Sequence, residues 1–123
     1  LGGGGGTDPI EVSHALTGLK RCLARTGIIK QTLPTAPPSI FVETRSIADN
    51  IYAPLTGLFD RQFKAGDQIE KGQLAGYIRS LDKLDDASVP LHFSTGGHVL
   101  AHGNRGHVMR GDMLAMVVCE THI

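Results

Sequence analysis

Ala53-Pro54-Leu55-Thr56-Gly57-Leu58 opens a stretch, residues 53–118, whose two halves carry nearly the same pattern. The other matching motifs are Lys-Gly-Gln-Leu-Ala at 71–75, Val-Pro-Leu at 89–91, Gly-Gly-His-Val at 96–99 and Arg-Gly-Asp-Met-Leu-Ala at 110–115. Gly57 and Gly72 are fifteen residues apart, and so are Gly96 and Gly111. This equal spacing predicts an internal duplication.

Short apolar or branched runs in this stretch have the length of β-strands and are separated by glycine turns. The strand-like runs are 58–63, 68–70, 74–78, 98–102 and 113–119, and the turns are 65–67, 71–73, 103–106 and 110–112. Glycine supplies the positive φ that a tight reversal needs. Two interlocked copies are therefore predicted to form a mainly β barrel-sandwich domain with one shared core, in which Gly57 and Gly96 occupy equivalent bends.

An amphipathic α-helix is predicted upstream of this domain. Asp8 is the expected N-cap, Pro9 the first helical residue and Glu11 lies three residues after the cap. The apolar residues then recur at three- and four-residue steps, as Val12, Ala15, Leu16, Leu19, Cys22 and Leu23. Gly27 is expected to end the helix. Its apolar side, Cys22 included, should be buried against the β domain or another subunit.

Four segments follow from these patterns. Residues 1–29 contain a glycine-rich turn and the helix, and residues 30–39 form an extended linker because they carry three prolines and no periodicity. Residues 40–119 are assigned to the β domain and residues 120–123 to a tail.

The composition argues against several classes of partner. Twelve basic and twelve acidic residues leave no net charge, so we expect no nucleic-acid partner and no binding to an anionic membrane surface. No apolar run approaches the roughly eighteen residues of a membrane span. Two lone cysteines, Cys22 and Cys119, predict a reduced, cytoplasmic protein.

The glycine motifs resemble those of a known family. They are Ala-Pro-x-x-Gly-Leu-Phe from Ala53, Gly-Asp-x-Ile-x-x-Gly-Gln-Leu-x-Gly from Gly66, and the later Gly-x-Val-Leu and Arg-Gly-Asp-x-Leu. Together they resemble the barrel-sandwich hybrid domain of biotinyl and lipoyl carriers. More closely, they resemble the C-terminal domain of the succinylglutamate desuccinylase and aspartoacylase family, zinc-dependent amide hydrolases related to the zinc carboxypeptidases. The glycine run and helix at residues 1–28 look like the preceding segment of that family.

This resemblance implies a longer parent enzyme that removes the acyl group from an N-acyl amino acid. The general-base glutamate would lie immediately before Leu1, with Gly2, Gly3 and Gly4 near the active site. Zn2+ would be bound in the parent enzyme, while this chain alone would hold no cofactor, no zinc ligand and no catalytic residue. The expected partners are the rest of the catalytic domain and the N-acyl amino acid substrate, and a homo-oligomer stays open.

Two other functions remain open. Asp82-Lys83-Leu84 resembles the Asp-Lys-Ala of lipoyl domains, so the chain is alternatively a carrier modified on Lys83, although the long polar loop around it favours a plain solvated lysine. The other alternative is a non-enzymatic β module that binds a partner.

A metal site of histidines is not favoured. His98 and His102 are expected on one face of a strand about 13 Å apart, which is too far to share a metal.

Overall fold

A computed structural model describes residues 8–83 and 85–122. The predicted glycine-rich turn, with Gly2, Gly3 and Gly4, lies outside the described residues. The chain divides into two compact units, Leu1–Ser39 and Ile40–Ile123.

Helix α1, Pro9–Arg25, belongs to the first unit and begins as predicted. Asp8 has extended backbone, and its Oδ1 accepts a hydrogen bond of 2.7 Å from the backbone N–H of Ile10. After the helix, Gly27 takes a positive φ of 75°. The N–H groups of Gly27 and Ile28 donate back to the carbonyls of Ala24 and Leu23, which is the usual hydrogen-bond pattern of a glycine C-cap.

The apolar side of α1 remains exposed. Ile10, Val12, Leu16 and Leu19 keep between 49% and 67% of their surface exposed, and no residue of the helix is buried. Cys22 is exposed as well in the single chain. The helical periodicity thus predicted the element correctly, and the burial of its apolar side stays a prediction. Among the described residues, no helix has the length and apolar character needed to cross a bilayer.

The second unit is built from short strands and one turn of 3-10 helix. The strands are β1 Phe41–Glu43, β2 Ile51–Tyr52, β3 Gly57–Arg61, β4 Gln68–Ile69, β5 Leu74–Arg79, β6 Val89–His92, β7 Gly97–His102, β8 His107–Val108 and β9 Met113–Thr121, and the 3-10 turn is Ile47–Asp49. The five predicted strands correspond to β3, β4, β5, β7 and β9. The predicted tail is wrong for Glu120 and Thr121, because both lie in β9 and pair with β1.

The strands form two antiparallel sheets, and the sheets do not close into a barrel. One sheet has the order β1-β9-β7-β4, with β2 also paired to β9, and the other has the order β6-β5-β3-β8. Ile78 from one sheet and Val99 and Val117 from the other are almost fully buried, together with Phe93 from the segment between β6 and β7. The mainly β fold with one preceding helix is therefore confirmed.

The strand pairing shows two interlocked copies of one unit. β3 pairs with β5 of its own half and with β8 of the other half, while β7 pairs with β9 of its own half and with β4 of the other. Because each half supplies a strand to the other half's sheet, neither copy completes its sheet alone.

The register corrects one detail of the predicted duplication. Gly57 pairs with Val108, and the residue in the equivalent position opposite Ile69 is Gly97 rather than Gly96. A Cβ atom on Gly57 would overlap the carbonyl of Arg79, and one on Gly97 would overlap the carbonyl of Val118. A Cβ on Gly96 would have no neighbour nearer than 3.4 Å. The prediction that Gly57 and Gly96 are equivalent is thus wrong by one residue.

Backbone hydrogen bonds place the start of the repeat as well. Ala53 exchanges hydrogen bonds with the turn at Gly111 and Asp112, and Phe93 does the same with the turn at Gly72 and Gln73. Ala53 therefore corresponds to Phe93, and not to the Val-Pro-Leu motif at residues 89–91.

Candidate functional site

A β-bulge in β7 places His98 and His102 on different faces of the strand. Leu100 is the extra residue, with His98 opposite Val118 and His102 opposite Ala115. Because successive residues of β9 point to opposite sides, positions 115 and 118 lie on opposite faces. The prediction that both histidines share one face is wrong, since it assumed an unbroken strand.

On the outer side, His98 contacts a carboxylate. Its Nε2 lies 2.9 Å from Oε1 of Glu120, and 53% of the Glu120 side chain is exposed. The His98 side chain is only 17% exposed, but water reaches the carboxylate and screens this contact.

On the inner side, His102 occupies the position in the second repeat that Arg61 occupies in the first. Arg61 lies opposite Gly76 of β5, and His102 lies opposite Ala115 of β9. Gly76 follows Gly72 in the first repeat just as Ala115 follows Gly111 in the second, so Arg61 and His102 are equivalent.

Both of these side chains contact the same aromatic ring. The guanidinium carbon of Arg61 lies 5.7 Å from the ring centroid of Phe63, and the His102 ring lies 6.2 Å from that centroid at 74°. Phe59 and Phe93 adjoin the same ring, with centroid distances of 6.4 and 5.4 Å. We name Arg61, Phe63 and His102 the basic-aromatic cluster.

The polar atoms of the cluster are only partly engaged. Nδ1 of His102 lies 3.0 Å from the carbonyl oxygen of Gly103. A carbonyl only accepts, so Nδ1 carries the proton and Nε2 remains for another partner. Among the described side chains, no carboxylate lies within ion-pair distance of Arg61. No local sequence pattern signals this cluster, because Arg61 and His102 come together only through the bulge and the duplication.

The described residues do not fit a zinc site. A catalytic zinc requires three protein ligands. Within residues 8–83 and 85–122, no group of three or more His, Cys, Asp or Glu side chains is arranged to hold a metal ion.

Lys83 lies exposed in the connection between β5 and β6, which pair with each other as a hairpin. This connection spans residues 80–88, and the N–H of Asp86 donates to the Lys83 carbonyl at 3.1 Å. Lys83 is thus accessible, but it stands in a long loop and not at the tip of a tight turn.

We expect Lys83 to stay unmodified, because the modifying enzymes read a lysine at the tip of a tight hairpin. The measurement is the intact mass after co-expression with biotin and lipoate ligases, with a known carrier domain in the same cells as the control. A mass increase that Lys83→Arg abolishes would contradict this prediction.

No protein-family model matches this chain, and no curated protein matches it significantly. Solved structures do match. A succinylglutamate desuccinylase/aspartoacylase from Rhodobacter sphaeroides is 27% identical with a TM-score of 0.76, and the match covers 95% of this chain and 38% of that one. The product-bound ectoine utilization protein EutE (DoeB) from Ruegeria pomeroyi is 24% identical with a TM-score of 0.75, over 97% of this chain and 36% of that one.

A succinylglutamate desuccinylase from Silicibacter sp. TM1040 is also 24% identical, with a TM-score of 0.73, over 98% of this chain and 36% of that one. The two matches at 24% identity show a shared fold alone. The chain spans little more than a third of the length of these structures. The resemblance seen in the glycine motifs is therefore confirmed. Nearly the whole of this chain is similar to a segment of succinylglutamate desuccinylase/aspartoacylase family proteins, and that segment makes up about a third of the length of each.

Proposed function

We propose that this chain is the C-terminal part of a zinc-dependent hydrolase that cleaves the amide bond of an N-acyl amino acid. The observation that carries the proposal is the match to the Rhodobacter sphaeroides protein, at 27% identity and a TM-score of 0.76 over 95% of this chain. Since only 38% of that protein is covered, the larger part of such an enzyme would lie outside residues 1–123.

In the proposed enzyme, the zinc chemistry would belong to the part of the protein outside this chain. The described residues contain no three-ligand metal group, so the zinc ligands would come from the remaining part of the protein. The general-base glutamate would stand immediately before Leu1, with Gly2, Gly3 and Gly4 beside it. The reaction would thus take place outside the β unit.

The two described units would then have supporting roles. The exposed apolar side of α1, which includes Leu16 and Leu19, offers a surface on which the rest of a catalytic domain would pack. The β unit would form a wall of the substrate channel and restrict the size of the acyl group.

Two free cysteines, Cys22 and Cys119, agree with a protein of the reducing cytoplasm.

The test compares three proteins for hydrolysis of N-acetyl and N-succinyl amino acids, with bound zinc measured in each. They are the chain 1–123, the full reading frame that contains it, and that reading frame with the glutamate before Leu1 replaced by glutamine. We expect turnover and stoichiometric zinc for the full reading frame. The glutamine variant should keep its zinc and lose at least about a hundredfold in turnover, since it lacks the general base.

For the chain 1–123 alone we expect neither turnover nor stoichiometric zinc. Turnover by the chain alone that a chelator abolishes would contradict the proposed division of labour. A full reading frame that binds zinc but hydrolyses none of these amides would contradict the proposed substrate class.

A further inference from the structure

The bulge at Leu100 changes which face His102 occupies. In an unbroken strand His102 would lie on the same face as His98, on the outer side of the sheet. The corresponding strand β3 pairs with β5 in continuous register from Leu58 to Arg61. The two halves therefore differ at this point, and the difference brings a second nitrogen-bearing side chain to Phe63. Bulges often serve to re-aim a side chain next to a functional site.

Arg61 presents its guanidinium beside an aromatic ring. The guanidinium carbon lies 5.7 Å from the ring centroid of Phe63, which is a cation–π contact. Among the described side chains no ion pair engages this group, so its N–H donors are available to an anion. The nearest acid in sequence, Asp60, is the neighbouring strand residue, and its Oδ1 accepts a hydrogen bond of 3.2 Å from the Gln62 side chain.

The surroundings of Arg61 are apolar on one side. Phe63 is 7% exposed, and Phe59 is half-buried beside it. Arg61 itself is exposed, so water screens its charge, and the apolar neighbours reduce this screening on one side only. His102 adds Nε2, which the hydrogen bond at Nδ1 leaves without an assigned partner.

We propose that the basic-aromatic cluster is a binding subsite for an organic carboxylate. Arg61 binds the two carboxylate oxygens through its N–H edge. His102 makes the second polar contact as an imidazolium, in which Nδ1–H donates to the Gly103 carbonyl and Nε2–H donates to the carboxylate. The half-buried ring of Phe59 contacts the carbon atoms next to the carboxylate, while the buried ring of Phe63 supports Arg61 and His102. This inference does not depend on the proposed hydrolase function, because it uses the β unit alone.

The surroundings of Arg61 favour a carboxylate over a phosphate. The guanidinium fork matches two oxygens of either group, so the choice between them depends on the neighbouring side chains. A phosphate group has more charge and more acceptor oxygens to satisfy, and the aromatic rings on the other side offer it no donors.

The experiment is an NMR titration of the chain 1–123 with N-acetylglycine, recorded on backbone amides and histidine ring protons. Neutral N-acetylglycinamide and inorganic phosphate are titrated separately at matched ionic strength. We expect N-acetylglycine to shift signals of the cluster in a saturable way, with His102 ring protons among the largest changes. Phosphate and the neutral amide should give much smaller shifts.

Four variants separate binding from packing. Arg61→Gln should raise the dissociation constant about tenfold or more, because it removes a charge-assisted hydrogen bond. Arg61→Lys keeps the charge but lacks the planar fork of N–H donors. Its dissociation constant should lie between those of the parent and Arg61→Gln. His102→Phe keeps a ring against Phe63 and should weaken binding without lowering stability. Arg79→Gln, an exposed arginine on β5, is the matched control and should bind like the parent.

Three results would overturn the proposal. The first is an unsaturable or absent response to N-acetylglycine in the parent chain. The second is an unchanged dissociation constant in Arg61→Gln when denaturation shows that this variant is folded. The third is an equal response to phosphate, which would show a general anion site and not a carboxylate subsite.

Discussion

Replacing Gly57 or Gly97 with alanine is expected to cost the β unit about 3 kcal/mol of unfolding free energy. The added Cβ on Gly57 would overlap the carbonyl of Arg79, which belongs to the paired strand β5. The added Cβ on Gly97 would overlap the carbonyl of Val118, and the φ of 153° at Gly97 is one that residues with a side chain rarely adopt. Neither carbonyl can move away without breaking the strand pairing.

Chemical denaturation of the chain 1–123 measures this loss. Against the roughly 5–15 kcal/mol that stabilises a typical domain, one substitution of this size leaves a marginal fold. Gly103→Ala is the matched control, since the nearest atom to its added Cβ lies 3.5 Å away and its φ is not positive. It should stay within about 0.5 kcal/mol of the parent.

Gly96→Ala distinguishes the two alignments of the repeat. If the register of the sheets is right, Gly96→Ala costs much less than Gly97→Ala, because the nearest atom to its added Cβ is 3.4 Å away. The reverse order, with Gly96→Ala the more damaging, would show that Gly57 and Gly96 are the equivalent bends after all.

Truncation of Phe93 is expected to cause the second large loss, about 3–5 kcal/mol for Phe93→Ala. Phe93 is 1% exposed and packs edge-on against Phe63 with a centroid distance of 5.4 Å. Its backbone also exchanges hydrogen bonds with Gly72 and Gln73, so the backbone has little freedom to move into the cavity that truncation would leave. The lost contacts therefore cannot be recovered by relaxation.

Denaturation midpoints of Phe93→Ala, Phe93→Leu and Phe41→Ala test this expectation. Phe41 lies on the edge strand β1 and is 56% exposed, so its truncation should cost less than about 1 kcal/mol. The loss of stability in Phe93→Leu should lie between those of Phe93→Ala and Phe41→Ala, since leucine keeps most of the apolar volume. A loss in Phe93→Ala no larger than that in Phe41→Ala would show that Phe93 is not the centre of the core.

The local elements were predictable because their causes are local. The cap at Asp8 and the end of the helix at Gly27 depend on hydrogen bonds within a few residues. The same holds for the turns at Gly66, Gly72 and Gly111, which have φ values of 91°, 84° and 92°. In each turn the residue after the glycine, Asp67, Gln73 or Asp112, accepts a hydrogen bond from the N–H three residues earlier.

The strands β6 and β8 were missed for the opposite reason. β8 consists of His107 and Val108, and these two residues are a strand only because they pair with Leu58 and Gly57. β6 contains Pro90, which argues against a strand when it is seen in sequence, but β6 lies at the edge of its sheet where proline is tolerated.

By itself, the sequence determined the helix, the main strands, the glycine turns, the existence of a duplication and the family resemblance, since each of these depends on residues close together in the chain. Only the tertiary structure decided the register of the repeat and the meeting of Arg61 with His102 on Phe63. A shift of one residue in strand pairing, or one extra residue such as Leu100, reverses the face that a side chain occupies. The face that a side chain occupies therefore depends on hydrogen bonds between distant segments, and a local sequence pattern carries no information about them.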